Sequence, residues 1–200
     1  MSKTLLIFFL TQAIAISVVA KKIEGLIIYP NDSIRVTFNI PTNIYGTVPY
    51  FFELQKSIIY FDSYGKKKKI KPKDALEIQF ALDNITYRML SRKITFYTHN
   101  SVNSDLLDSV MFLKLEVDGY LRLFSFNNPD MGAQNRTGNY LFQKNDGELK
   151  WLNWFKPKKD LLEYMKDCDS AVVMIKQSNA FLGVDMVTLV EKYNSDCVKE

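Results

Sequence analysis

The chain has 200 residues, enough for one domain of ordinary size or two small ones. Hydrophobic residues make up 47%, aromatic residues 14% and charged residues 24%, which supports a packed core and excludes disorder as the main state. One histidine, His99, and two cysteines, Cys168 and Cys197, leave little material for histidine triads, histidine-rich metal sites or cysteine-rich zinc sites, and a net charge of +4 implies no particular partner.

Residues 1–20 have the pattern of a secretory signal peptide. Lys3 and the chain's own amine make a positive start, residues 5–19 are apolar apart from Thr11, Gln12 and Ser17, and Val18-Val19-Ala20 offers a cleavage site. An apolar stretch this short, holding three polar residues, does not reach the roughly 20 residues that span a bilayer, so removal is favoured over retention as an anchor. Loss of Lys3 lowers the net charge to +3, and residues 21–200 become the working protein, periplasmic or extracellular.

The 14 Phe and 11 Tyr favour pleated, half-buried surfaces, and the body of the chain follows suit. Apolar runs at 23–29 and 34–40 flank the turn cluster Pro30-Asn31-Asp32-Ser33, and a loop follows at 41–49. Strands at 57–61 and 66–71 flank Asp62-Ser63-Tyr64-Gly65, and strands at 77–82 and 85–97 flank Asp83-Asn84. The clearest hairpin joins 110–117 to 120–126 through Asp118-Gly119, because Asp-Gly supplies the positive φ of a tight turn. A three-residue loop Val117-Asp118-Gly119, with Gly119 left-handed, pairs Leu113 with Leu123 and Leu115 with Leu121, and this bulged register gives one apolar face. Residues 127–138 form a loop, and a last hairpin around Asn145-Asp146-Gly147 joins 140–144 to 148–153.

From Pro157 the period becomes helical. Leu161, Leu162 and Met165 share one face, Asp169 or Ser170 can cap a second helix carrying Val172 and Ile175, and Met186, Leu189, Val190, Tyr193 and Cys197 trace a third stripe. The expected fold is α+β in a single domain: an antiparallel bent sheet or partial β-barrel built of hairpins over 21–155, followed by a cap of about three short helices over 157–197. Cys168 lies in the turn before the second helix and Cys197 ends the third stripe. In an oxidising compartment they can form a disulfide, worth about 3–4 kcal/mol, or remain two buried thiols.

Four blocks carry a resemblance. Ile70-Lys71-Pro72-Lys73-Asp74-Ala75, the segment Phe112-Leu113-Lys114-Leu115-Glu116-Val117-Asp118-Gly119-Tyr120-Leu121-Arg122-Leu123, Asp167-Cys168, and Glu191-Lys192-Tyr193-Asn194-Ser195-Asp196-Cys197 resemble blocks of uncharacterised secreted proteins of Bacteroidota. That resemblance implies a signal peptide, a strand-rich body and a helical end closing on Tyr-Asn-x-x-Cys. It implies location and architecture, and no activity.

Direct search for chemistry finds little. None of the eight glycines are two apart, so no GxGxxG exists; no phosphate-binding loop, GxSxG elbow, HExxH or EF-hand occurs, and no cofactor or metal is expected. Lys66-Lys67-Lys68-Lys69 fits either contact with an anionic surface or a solvated edge strand whose lysines prevent sheet-to-sheet association. Trp151 and Trp154, with Phe155, fit either a sugar-stacking platform or packing where the last strand meets the first helix. No acidic pair stands out for glycoside hydrolysis, although 22 acidic residues allow one. Tyr87-Arg88 and the 93–97 segment resemble strands that stack nucleic-acid bases, but the signal peptide and modest charge argue against that partner. The leading expectation is therefore an exported, non-enzymatic cell-envelope module binding an unknown protein, glycan or lipid component. A carboxylate-dependent hydrolase acting on envelope glycans or other polymers is the alternative.

Overall fold

The computed structural model describes residues 19–100, 103–127, 139–151, 157–178 and 185–198, and within them all side chains but those of 96–100, 103–108 and 139. The N-terminal pair β1 (Val19–Ile28) and β2 (Ser33–Thr42) closes on a turn in which Tyr29 N–H donates to Asp32 O at 2.8 Å. A short helix α1 (Phe51–Leu54), absent from the sequence expectation, precedes β3 (Ile58–Phe61) and β4 (Lys67–Ile70). A 3₁₀ turn at Pro72–Asp74 then leads to β5 (Glu77–Leu82) and the long β6 (Ile85–Asn100). Asp83 and Asn84 both have positive φ, 50° and 65°, in the two-residue hairpin that joins them.

The long β7 (Asn103–Val117), then β8 (Leu121–Phe126), β9 (Asn139–Lys144) and the two-residue β10 (Lys150–Trp151) complete one open antiparallel sheet. Its strand order is β10-β9-β8-β7-β6-β5-β1-β2-β3-β4. β7 starts well before the expected 110, and β10 starts at Lys150 rather than at the expected 148, with residues 152 and 153 of the expected strand lying outside the described residues.

The sheet is bent. Phe112 N–H on β7 donates to Gln55 O at 3.0 Å just after α1, so the N-terminal strands wrap round a core that includes Phe38, Ile58, Ile78, Met89 and Phe112. On that face Lys114 closes the core's edge. Its ammonium lies 2.8 Å from Glu116 and sits over the rings of Phe51 and Tyr87, 5.1 and 5.7 Å from their centroids.

The same face of β8 and β9 carries the helical cap, as expected from the change of period at Pro157. Helices α2 (Pro157–Tyr164), α3 (Asp169–Gln177) and α4 (Met186–Cys197) press Leu161, Met165, Ile175, Leu189 and Tyr193 onto Val117, Leu121, Leu123 and Phe142. A Leu wholly removed from water in this way contributes about 2 kcal/mol. The expected capping of the second helix by Asp169 or Ser170 is corrected: Cys168 occupies the N-cap without a side-chain bond, and Asp169 is the first helical residue. Helix α4 is capped, by Asp185, whose carboxylate accepts from Val187 N–H at 3.0 Å and from Thr188 Oγ1 at 2.7 Å.

Three side chains of α4 fasten it to three different places. Tyr193 Oη donates to the Asp167 carboxylate at 2.8 Å, which also accepts from Lys144 Nζ on β9 at 2.8 Å. Asn194 accepts from Leu121 N–H at 2.8 Å and donates to Leu121 O at 2.9 Å, completing the ladder of β8 where β7 has turned away. Cys197 is bonded to Cys168, with the Cα atoms 5.5 Å apart, so the cysteines are bridged and staple the cap. Gly119 faces Asn194 so closely that a Cβ on it would lie 2.6 Å from the amide nitrogen.

The expected register of the Asp118-Gly119 hairpin is wrong. Leu115 pairs with Phe124 and Val117 with Leu123, the register shifts between Leu115 and Val117, and Gly119 has φ 144° rather than a left-handed helical value. The sequence argument assumed one buried face. Both faces of β8 are buried: Leu121 and Leu123 lie under the cap, while Phe124 and Phe126 pack with Leu113 and Leu141 on the other side. The extra residue at Glu116 turns Val117 toward the cap and leaves Leu115 with Phe124.

A candidate ligand cavity on the face opposite the cap

Strand alternation places Arg88 and Arg92 of β6 on the face away from the helices, together with Leu90 and Ile94. Arg122 of β8 and its cross-strand neighbour Gln143 of β9 share that face. Three arginines on a half-apolar surface need partners, and two of them have carboxylates. Arg88 donates Nε and Nη2 to the two oxygens of Glu77 at 2.6 and 3.0 Å, and Nη1 to Asp118 at 2.6 Å. Glu77, only 8% exposed, accepts also from Gln79 Nε2 at 2.7 Å. Arg122 donates to Asp118 at 3.2 Å and to Asp146 at 2.8 Å. The bond to Glu77 holds Arg88 above the ordinary arginine pKa, and the bond to Asp146 does the same for Arg122.

Arg92 differs. Its Nε donates to Gln143 Oε1 at 3.3 Å, its Nη1 donates to Ser91 O at 2.9 Å, and its guanidinium carbon stands 5.7 Å from the centre of the Phe124 ring. No carboxylate among the described residues lies within ion-pair distance of it. Burial, and then the Arg122 charge, push its pKa below the usual arginine value. Gln143 is fixed in turn, being 6% exposed and donating Nε2 to Gly147 O at 2.7 Å. β6 and β9 are three steps apart in the strand order, so the Arg92–Gln143 contact shows this part of the sheet bending toward that face.

The bend forms a half-open cavity of about 470 Å³, within the range of small-ligand sites. β6 lines it from Arg92 through Lys93 and Ile94 to Thr95, Gln143 supplies the β9 side, and the turn before β10 adds Gly147, Glu148 and Leu149. Trp151 on β10 is the aromatic wall. It is half-buried and meets the Phe126 ring nearly at right angles, 5.2 Å between centroids. The cavity thus combines a fixed cation, one carboxylate, and an aromatic surface.

The residues singled out in the sequence do not come together. Lys67, Lys68 and Lys69 lie on β4, an edge strand, with Lys66 in the turn before it, whereas Trp151 lies on β10 at the opposite edge. Lys68 pairs with Asp62 at 2.9 Å, and Lys66, Lys67 and Lys69 are exposed, an arrangement suited to guarding a sheet edge. Trp154, Phe155 and the loop residues 128–138 lie outside the described residues, as does the side chain of His99. Among the described residues no group of three His, Cys, Asp or Glu side chains could hold a metal ion, and no helix is long and apolar enough to cross a membrane. Sequence reasoning missed Arg92, Gln143 and Glu148. The available signal was an arginine alternating with inward-facing Leu90 and Ile94 on a strand.

Compared with protein-family models, with curated proteins and with solved structures, the chain matches none.

Proposed function

We propose that the protein is an exported, non-enzymatic module of the cell envelope that binds a ligand in the cavity between β6 and the β9–β10 hairpin. Arg92 carries this reading. A half-buried guanidinium with no carboxylate partner among the described residues is costly to maintain, and here it is held in place by Gln143, the Ser91 carbonyl and the Phe124 ring beside open space. Export is supported by the signal-peptide pattern of residues 1–20 and by the Cys168–Cys197 bridge, which persists in an oxidising compartment. The resemblance to secreted Bacteroidota proteins points the same way. Hydrolysis of a glycosidic bond by the usual route needs two carboxyl groups across the bond, and the described lining supplies only Glu148, so the hydrolase stands second.

The test is fractionation of the native cell together with an Arg92→Glu variant. The expected protein begins at Lys21 and is retained by envelope material, and the folded variant is released from it. Cytosolic protein still carrying residues 1–20 refutes export, and equal retention of the variant refutes the cavity as the binding site.

A further inference from the structure

Resting on that reading of the cavity, we propose that its ligand is a sugar ring bearing a single carboxylate, such as a uronic acid residue of an envelope glycan. Four features of the lining point to this chemistry. The Arg92 guanidinium has five N–H donors, of which two meet protein acceptors among the described residues, so a pair remains for the parallel oxygens of a carboxylate. Its stacking on Phe124 and its bond to Gln143 fix the direction of that pair before a ligand arrives, which reduces the ordering cost of binding. Trp151 supplies a flat apolar surface for the C–H face of a ring, and Glu148 supplies an acceptor for hydroxyl groups.

The charge count selects among anions. Of the two basic residues that line the cavity, Arg92 stands on its face of β6 and Lys93 alternates to the other, so one fixed guanidinium is there to meet one carboxylate. A dianionic phosphate would set its second charge against Glu148. A neutral sugar would leave the desolvated Arg92 without a charged partner, and an aromatic acid would leave Glu148 without a donor. Glu148 is exposed and lies outside the packed cores, so its replacement probes the ligand without disturbing the fold.

The experiment is calorimetric titration of the exported protein with D-glucuronate, D-glucose, glucose 6-phosphate and benzoate. Glucuronate is expected to bind with a Kd of about 0.1–1 mM, the range open to a single sugar ring. Arg92→Gln weakens it about 10- to 100-fold and Arg92→Lys by less, because a charge-assisted bidentate contact is lost or halved. Glu148→Gln tightens it about threefold by removing a like charge several ångströms away.

Equal binding of glucose and glucuronate, or preference for the phosphate or for benzoate, overturns the acidic-sugar assignment and leaves a binding module in place. So does glucuronate binding that Glu148→Gln and Arg92→Lys both leave unchanged. Failure of every titrant overturns the assignment alone if envelope retention still depends on Arg92, and overturns the binding module with it if retention does not.

Discussion

Replacing Asn194 with Ala removes one side chain that serves as a peptide group for a strand on another element. The amide takes Leu121 N–H at 2.8 Å and gives to Leu121 O at 2.9 Å, at the point where β7 has left the ladder and Leu121 is fully buried. Two such bonds contribute about 1 kcal/mol each, and leaving both backbone groups without partners raises the cost to about 2–4 kcal/mol. Alanine recovers about 0.6 kcal/mol through its better helix propensity, so a net loss of about 1.5–3.5 kcal/mol is expected in urea unfolding of the purified protein.

Gly119→Ala adds a second, linked perturbation. Its φ of 144° disfavours any Cβ, and the new atom would meet the Asn194 amide at 2.6 Å. Once Asn194 is already Ala that collision is gone while the backbone strain remains, so the double variant should be about 1–2 kcal/mol less destabilised than the sum of the single ones. A loss below about 0.5 kcal/mol for Asn194→Ala, or strict additivity in the cycle, would refute the reasoning.

Three further outcomes follow from the same structure. Replacing Cys168 and Cys197 with Ser should lower unfolding free energy by about 3 kcal/mol, and native proteolysis should then cut within the helical cap before the sheet; an unchanged urea midpoint would contradict the stapling role. In acid, burial pushes the Asp118 and Asp167 carboxyls up, but Arg88 at the first and Lys144 and Tyr193 at the second more than offset this, holding both below 3.8. Depressed folded pKa values mean that the stabilisation is complete above 3.8 and is lost as pH falls through the folded values. Urea midpoints measured down to about pH 2 should therefore fall less steeply once both residues are Asn. Changing Lys67 and Lys69 to Val leaves an apolar edge on β4, and light scattering should report association that the parent chain does not show.

Much of the architecture was legible because the signals were local. Alternating apolar runs around turn clusters marked the hairpins, as with Asp83-Asn84, and the change of period at Pro157 marked the cap. What failed were inferences that depend on both sides of a strand. The β7–β8 register was chosen by asking for one apolar face, yet β8 contributes Leu121 and Leu123 to one core and Phe124 and Phe126 to another. Helix α1 was missed because Phe51–Leu54 is one turn long, too short for a period to show. Of the cavity, Trp151 was singled out in the sequence and its arginine was not. The cavity depends on Arg92 of β6 meeting Gln143 of β9 across two intervening strands, a consequence of sheet bending that no spacing along the chain records.

The fastening of α4 has a consequence for the order in which the chain acquires its fold. Tyr193, Asn194 and Cys197 each reach back to a residue made earlier, Asp167, Leu121 and Cys168, so the last helix docks on partners that must already be in place. Until it arrives, Leu121, Leu123 and Phe142 have no complete cover and the ladder of β8 is open at Leu121. Synthesis from the N-terminus therefore delivers this sealing segment after the strands it covers. A translation stop before residue 186 would yield a sheet with a permanently adhesive face, a ready substrate for proteolytic clearance.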